Sequence, residues 1–148
     1  MSNDLAAFFK ENKKEKKNEF FPATKDLCDA EGKPLMWELR PIPTIVMKRI
    51  EAECTDIKGR KNVKFDQGLF QRKKVAAAVV FPNLRDAALV DSYMSGYPLD
   101  ERTPENLIAL MIDNYREFLE LQRKVDEMSG FSVDADKAME ENIETAKN

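Results

Sequence analysis

The apolar positions change period several times along the chain, and each change marks an element. Residues 3–12 place Leu5, Phe8 and Phe9 at i, i+3 and i+4, the spacing of one helix face. Asn3 or Asp4 can cap that helix. A helix this short is marginal alone, so its face needs something to pack on, either its own core or a partner. From Glu19 to Pro41 the period falls to two: Leu35, Trp37 and Leu39 alternate with Met36, Glu38 and Arg40. That is the signature of a half-buried strand. Phe20, Phe21, Thr24 and Leu27 lead into turn chemistry at residues 29–34, with Gly32 free to adopt a left-handed conformation. A β-hairpin is therefore predicted over 19–41. Trp37, in phase with apolar neighbours, reads as core rather than as a binding site.

Pro41 and Pro43 end the strand, and Thr44 is placed to cap a helix over 44–55. Ile42, Val46, Ile50 and Cys54 recur every fourth residue, which turns Cys54 inward as a small apolar residue. Residues 56–66 read as a basic loop. Asp66 caps a helix over 67–80, with Leu69, Ala76 and Val79 or Val80 on its buried side, and Ala76–Ala78 lets another backbone come close. Pro82 forces its predecessor out of the helical region. Asn83 then reads as the N-cap of a helix over 84–94, with Asp86 at N3 completing a capping box. Gly96 is the expected left-handed C-cap. Phe81, Leu84 and Tyr93 are expected to join the hairpin side to the C-terminal helices.

Thr103-Pro104-Glu105 is a strong helix start. Ile108, Met111, Tyr115, Phe118 and Val125 follow with 3-4 spacing, Asp113-Asn114 can divide the stripe into two helices, and Gly130 stops the second. Ser132 caps a last acidic helix over 133–146, whose apolar stripe is thin. The fold class predicted is mainly α with a small N-terminal β-hairpin (α+β), a compact multi-helix domain. Residues 1–18 form an amphipathic helix with a lysine-rich tether, residues 19–130 the helical body, and residues 131–148 an acidic end.

Composition narrows the chemistry. The chain has 148 residues, 43% hydrophobic and 34% charged, enough for one domain with a core. No apolar run approaches the ~20 residues of a membrane span. No signal peptide is expected, because Leu5–Phe9 is short and precedes its lysines. Cys28 and Cys54 are the two cysteines, and a reduced state is expected for both. There is no histidine, which removes serine–histidine and cysteine–histidine nucleophile pairs and the usual base near neutral pH. The five glycines are scattered, so no phosphate loop is present. Asp86 and Asp91 lie five apart on different helix faces, and capping explains Asp86. Asp134, Asp136 and Glu140 lack calcium-loop spacing and suit a helix N-terminus. The seven methionines are dispersed core filler. No catalytic, cofactor or metal site is assigned, and no cofactor is expected.

Charge is uneven. Residues 10–17 hold five lysines against two glutamates, residues 58–74 seven basic side chains against one aspartate, and residues 117–148 nine acids against four bases. A basic middle and an acidic end suggest self-association or a polar partner surface, with solvated helix faces the plainer explanation. A small nucleic-acid-binding accessory protein using 58–74 is the alternative function. It lacks the interleaved aromatics of a single-strand binder, since Phe65 stands alone in the 56–66 loop.

Several stretches, in order, resemble one family: Leu5-Ala-Ala-Phe-Phe-Lys-Glu-Asn, Gly32-Lys-Pro-Leu-Met-Trp-Glu-Leu-Arg-Pro, Phe81-Pro-Asn-Leu, Leu89-Val-Asp-Ser-Tyr, Gly130-Phe and Ala146-Lys-Asn. Together they look like the XkdN-like tail assembly chaperones of long-tailed phages and prophages, over essentially the whole chain. The resemblance implies a non-catalytic protein of the host cytoplasm, absent from the finished virion. It would bind the tape measure protein, shield its hydrophobic helices and help recruit the tail tube protein, the latter through a longer frameshifted form. It assigns no functional residues. Leu5, Phe8 and Phe9 are the partner-binding candidates read from the residues themselves, and Trp37, Phe81, Pro82, Asn83, Leu84 and Tyr93 the structural ones.

Overall fold

The computed structural model describes residues 4–58 and 62–131, without the side chains of Ile57, Lys58 and Asn62. The predicted acidic helix over 133–146, with Asp134, Asp136 and Glu140, lies outside the described residues. Chain order gives β1 (Glu19–Phe21), β2 (Trp37–Leu39), α1 (Thr44–Glu53), β3 (Thr55–Lys58), β4 (Asn62–Phe65), α2 (Gln67–Ala78), β5 (Val79–Phe81), α3 (Ala87–Met94), α4 (Pro104–Met111) and α5 (Tyr115–Met128). The result is the mixed α+β domain that the period changes predict.

The hairpin forms as β1 against β2, with Phe21 opposite Trp37 and Glu19 opposite Leu39. Its connection turns where expected. Asp29 Oδ1 accepts the N–H of Glu31 and of Lys33 at 2.8 and 3.0 Å, and Gly32 takes φ +83°. Trp37 and Leu39 are buried, but Leu35 is exposed, because the ladder begins only at Trp37.

The sheet gains a third strand that periodicity does not reveal. The helix predicted over 67–80 ends at Ala78, and Val79–Phe81 pairs antiparallel with β2. The order is β1-β2-β5. A run of two valines and a phenylalanine before proline favours a strand, and β2 offers it open hydrogen-bonding groups. The predicted basic loop 56–66 is likewise a second hairpin, β3 against β4, with Thr55 opposite Phe65.

The corner after β5 also differs. Asn83 is not the N-cap. Its Oδ1 accepts the Arg85 N–H at 3.0 Å, which shapes a turn that drives Leu84 into the core. Asp86 caps α3 instead, accepting from Leu89 N–H at 3.0 Å. Helix α1 has Pro43 at its N-cap rather than Thr44, with no side-chain cap. Gly96 is not left-handed; among the described residues Gly32 and Gly130 are the glycines with positive φ. Gly130, at φ +99°, stops α5 as its position suggests.

Helix α2 lies at the centre and packs on α1, α4 and α5. Val75, Ala76 and Ala78 are its buried apolar residues, and their small side chains allow close approach. Thr103 caps α4, accepting from Asn106 N–H at 3.3 Å, and Asn114 caps α5, accepting from Glu117 N–H at 3.0 Å. The division at 113–114 thus forms. It also puts the two stripes out of phase: Tyr115 is 73% exposed, not core, while α5 buries Leu121 and Val125 with Phe118 and Met128 packed beside them.

Two lysines of α2 bind its neighbours. Lys73 Nζ lies 2.9 Å from Glu53 at the end of α1 and 3.8 Å from Glu105 at the start of α4. Lys74 is buried, 2.7 Å from Asp126 of α5, with its ammonium 5.1 Å from the Phe70 ring centroid. Removing one partner of a buried pair strands the other charge. Asp126→Asn is expected to lower unfolding free energy by about 2–3 kcal/mol in urea titrations, and a Lys74→Met, Asp126→Leu double variant to recover most of it. Leu84→Ala is expected to cost ~2–5 kcal/mol; a change below about half a kcal/mol would mean that the corner bears no packing load.

Candidate partner-binding surface

Asp4 opens the arm by accepting the Ala6 N–H at 3.0 Å. The expected α-helix does not form. Residues Leu5–Phe8 and Lys10–Asn12 are two 3-10 turns separated by Phe9 in an extended conformation. Asn12 Nδ2 donates to the Ala6 carbonyl at 2.7 Å and folds the second turn back on the first. Tight turns are what so short a segment adopts when no partner helix supports it. Leu5, Phe8 and Phe9 are 72%, 80% and 50% exposed, so the arm is not docked on its own core. Of the two packing options open to this segment, the core is excluded.

The sheet presents a second apolar surface. Glu38 is opposite Phe20 and Phe81, and Phe20 shares its face, turned away from Trp37 and Leu39; the β2–β5 register is irregular beside Glu38. Phe20 and Phe81 are each 63% exposed. Leu84 is buried in the core and Tyr93 packs against that core, while Phe81 meets the hairpin and the C-terminal helices at a surface cleft. Phe81, with Pro82, walls this cleft of about 230 Å³ together with Leu35, Met36 and Tyr93, above Trp37. The Phe81–Pro82 peptide is cis. Periodicity missed this strand because Val79 and Val80 continue the helical stripe; the β-branched pair itself was the available signal.

Polar contacts hold the loops around this surface. The Glu117 carboxylate of α5 accepts from the Thr24 hydroxyl and the Lys25 N–H, both at 2.8 Å. Lys124 pairs with Glu19 at 2.8 Å, and Ser129 Oγ accepts the Ile42 N–H at 2.9 Å. Asn18 Nδ2 donates to Glu38 at 2.8 Å, where the arm meets the sheet.

The basic stretch 58–74 is partly consumed by the fold, since Lys73 and Lys74 face carboxylates. Asp91 lies 3.4 Å from Arg102. Among the described residues no cluster of three or more cysteine and acidic side chains could hold a metal ion, and both cysteines are free thiols. Burial pushes the Cys54 thiol up, against the pull of Lys73. The hydrogen bond that Lys73 donates to Glu53 holds Lys73 above the usual lysine range, against desolvation.

The family model for phage XkdN-like tail assembly chaperones matches residues 5–147. This chain belongs to that family. A search of curated proteins gives no match. Among solved structures, the crystal structure of the protein YqbN, a structural genomics target, is similar at TM-score 0.70 and 19% identity. The match covers 87% of this chain and 98% of that one. At that identity the likeness concerns the fold. Phage tail assembly is thus the process in which the chaperone takes part, and none of its described helices is long and apolar enough to cross a membrane.

Both raised groups bind their proton more tightly folded than unfolded, so each contributes stability below its unfolded pKa that fades as pH rises through the folded value. The chaperone is expected to lose stability above about pH 9. Denaturation midpoints across the alkaline range should show a flatter decline for a Lys73→Met, Cys54→Ala variant.

Proposed function

We propose that this tail assembly chaperone acts by binding alone, taking hold of the tape measure protein during tail morphogenesis. The supporting observation is the exposure of Leu5, Phe8 and Phe9 on the arm and of Phe20 and Phe81 on the sheet. Uncovered large apolar side chains suit a protein that works by covering apolar surface on a partner. A tape measure protein with long apolar helical faces is a fitting partner, since covering such faces prevents aggregation and needs contact area rather than chemistry. Recruitment of the tail tube protein, through a longer frameshifted form, would follow on the same scaffold. The work would take place in the host cytoplasm and leave the chaperone out of the finished virion.

Co-expression with the tape measure protein encoded in the same tail cluster is the test. The expected outcome is higher tape measure solubility and a co-purifying complex; unchanged solubility with no complex would sink the reading. Replacing Phe8 and Phe9 with serine is expected to weaken the complex while shifting the isolated protein's unfolding free energy by less than about 0.5 kcal/mol. A large stability loss would instead mean that these side chains support the core.

A further inference from the structure

The N-terminal halves of α2 and α5, with the end of α4, enclose a cleft of about 620 Å³. That is the size of a small-ligand or short-peptide site. Its apolar wall comes from Ile112, Phe118 and Leu119, and Leu119 is exposed, so the wall is open to an incoming side chain.

Two neighbouring residues of α2 give the cleft its polarity. Arg72 is half-buried and forms no ion pair or hydrogen bond among the described residues. Its guanidinium folds back over the first turn of α2, since a Cβ at Gly68 would lie 3.4 Å from Arg72 Nη1. The nearby acids are otherwise engaged. Asp66 caps α2, its Oδ1 accepting the Leu69 N–H at 3.0 Å, and Asp113, which also lines the cleft, is exposed to water. Arg72 therefore keeps its charge and its forked donors for an incoming carboxylate. Gln71 has the opposite need. Its Oε1 is buried without a hydrogen-bond partner, a costly state for an acceptor. Half a turn about the last side-chain bond, a soft torsion, brings that oxygen round to the cleft, where a ligand N–H can satisfy it.

The cleft thus asks for a carboxylate, an N–H donor and an apolar side chain close together. An inorganic anion lacks the last two. An internal peptide residue has no carboxylate beside its N–H and apolar side chain. The last residue of a polypeptide carries all three on one carbon when its side chain is apolar.

We propose that this cleft captures the free C-terminus of a partner polypeptide ending in an apolar residue, a recognised mode of peptide binding. The terminal carboxylate pairs with Arg72, the last N–H donates to Gln71 Oε1, and the last side chain packs on Ile112, Phe118 and Leu119. The site is separate from the arm and does not rest on the tape measure reading.

Titration of the ¹⁵N-labelled full chain with the peptide N-acetyl-Ala-Ala-Leu, followed by amide NMR shifts, tests the proposal. Saturable shifts at Gly68, Leu119 and the Gln71 side-chain amide are expected, with a Kd of about 1 mM or tighter. The same peptide ending in a carboxamide should bind about ten-fold more weakly or worse, as should the acid peptide to an Arg72→Gln variant, because each loses a charge-assisted hydrogen bond. Equal binding of the acid and the carboxamide would overturn the proposal, and this comparison uses the unaltered chain, so it holds whether or not the variant folds. Acetate binding as tightly as the peptide would reduce the cleft to a bare anion site and overturn the C-terminal reading. Shifts confined to other surfaces, or none at about ten times the expected Kd, would refute the site outright.

Discussion

The junction at Ala78–Val79 is the constraint on which the rest of the molecule depends. There α2 passes into β5 without a loop. The last helical turn must be small to lie under α4 and α5, and Ala76 and Ala78 meet that need. The next residues must be extended to pair with β2. The Arg40 N–H bonds to the Ala78 carbonyl at 2.8 Å and Arg40 Nε to the Ala77 carbonyl at 2.9 Å, so the end of β2 satisfies helix-terminal groups that would otherwise lack partners. One backbone segment thereby locks the helical layer to the sheet.

Charge pairing reinforces that lock from the other side of α2. Lys73 reaches α1 and α4, and Lys74 reaches α5. Consecutive residues on a helix point about 100° apart, so one dipeptide serves three neighbouring helices. This is also why a sequence count of basic residues over 58–74 overstates the charge available to an external polyanion. Part of that charge is spent inside the fold.

The surface that remains fits a binding protein of a tail assembly family. Its apolar side chains sit on an arm and on a sheet face held by Glu117, Lys124 and Ser129 of α5. The rigid part presents Phe20 and Phe81; the arm adds Leu5, Phe8 and Phe9. A fixed platform limits the ordering cost of any binding that uses it.

Local chemistry alone determined much of this protein. The two-residue period around Trp37, the Gly32 turn, the Asp66, Thr103 and Asn114 starts, the Gly130 stop and the inward Cys54 all follow from short-range rules, because each involves backbone groups satisfied within a few residues. The family was legible too, through ordered motifs. What only the tertiary structure decided are the features set by distant partners. Val79–Phe81 became a strand because β2 offered an edge. Asn83 yielded its cap to Asp86 because Leu84 had a core to enter. Tyr115 left the stripe because the break at 113–114 reset the helical phase. The arm stayed as tight turns with its aromatics exposed, because nothing in the described body covers them. Periodicity states which residues seek burial; it cannot state which surface will receive them, and in this protein that difference separates the core from the candidate binding surface.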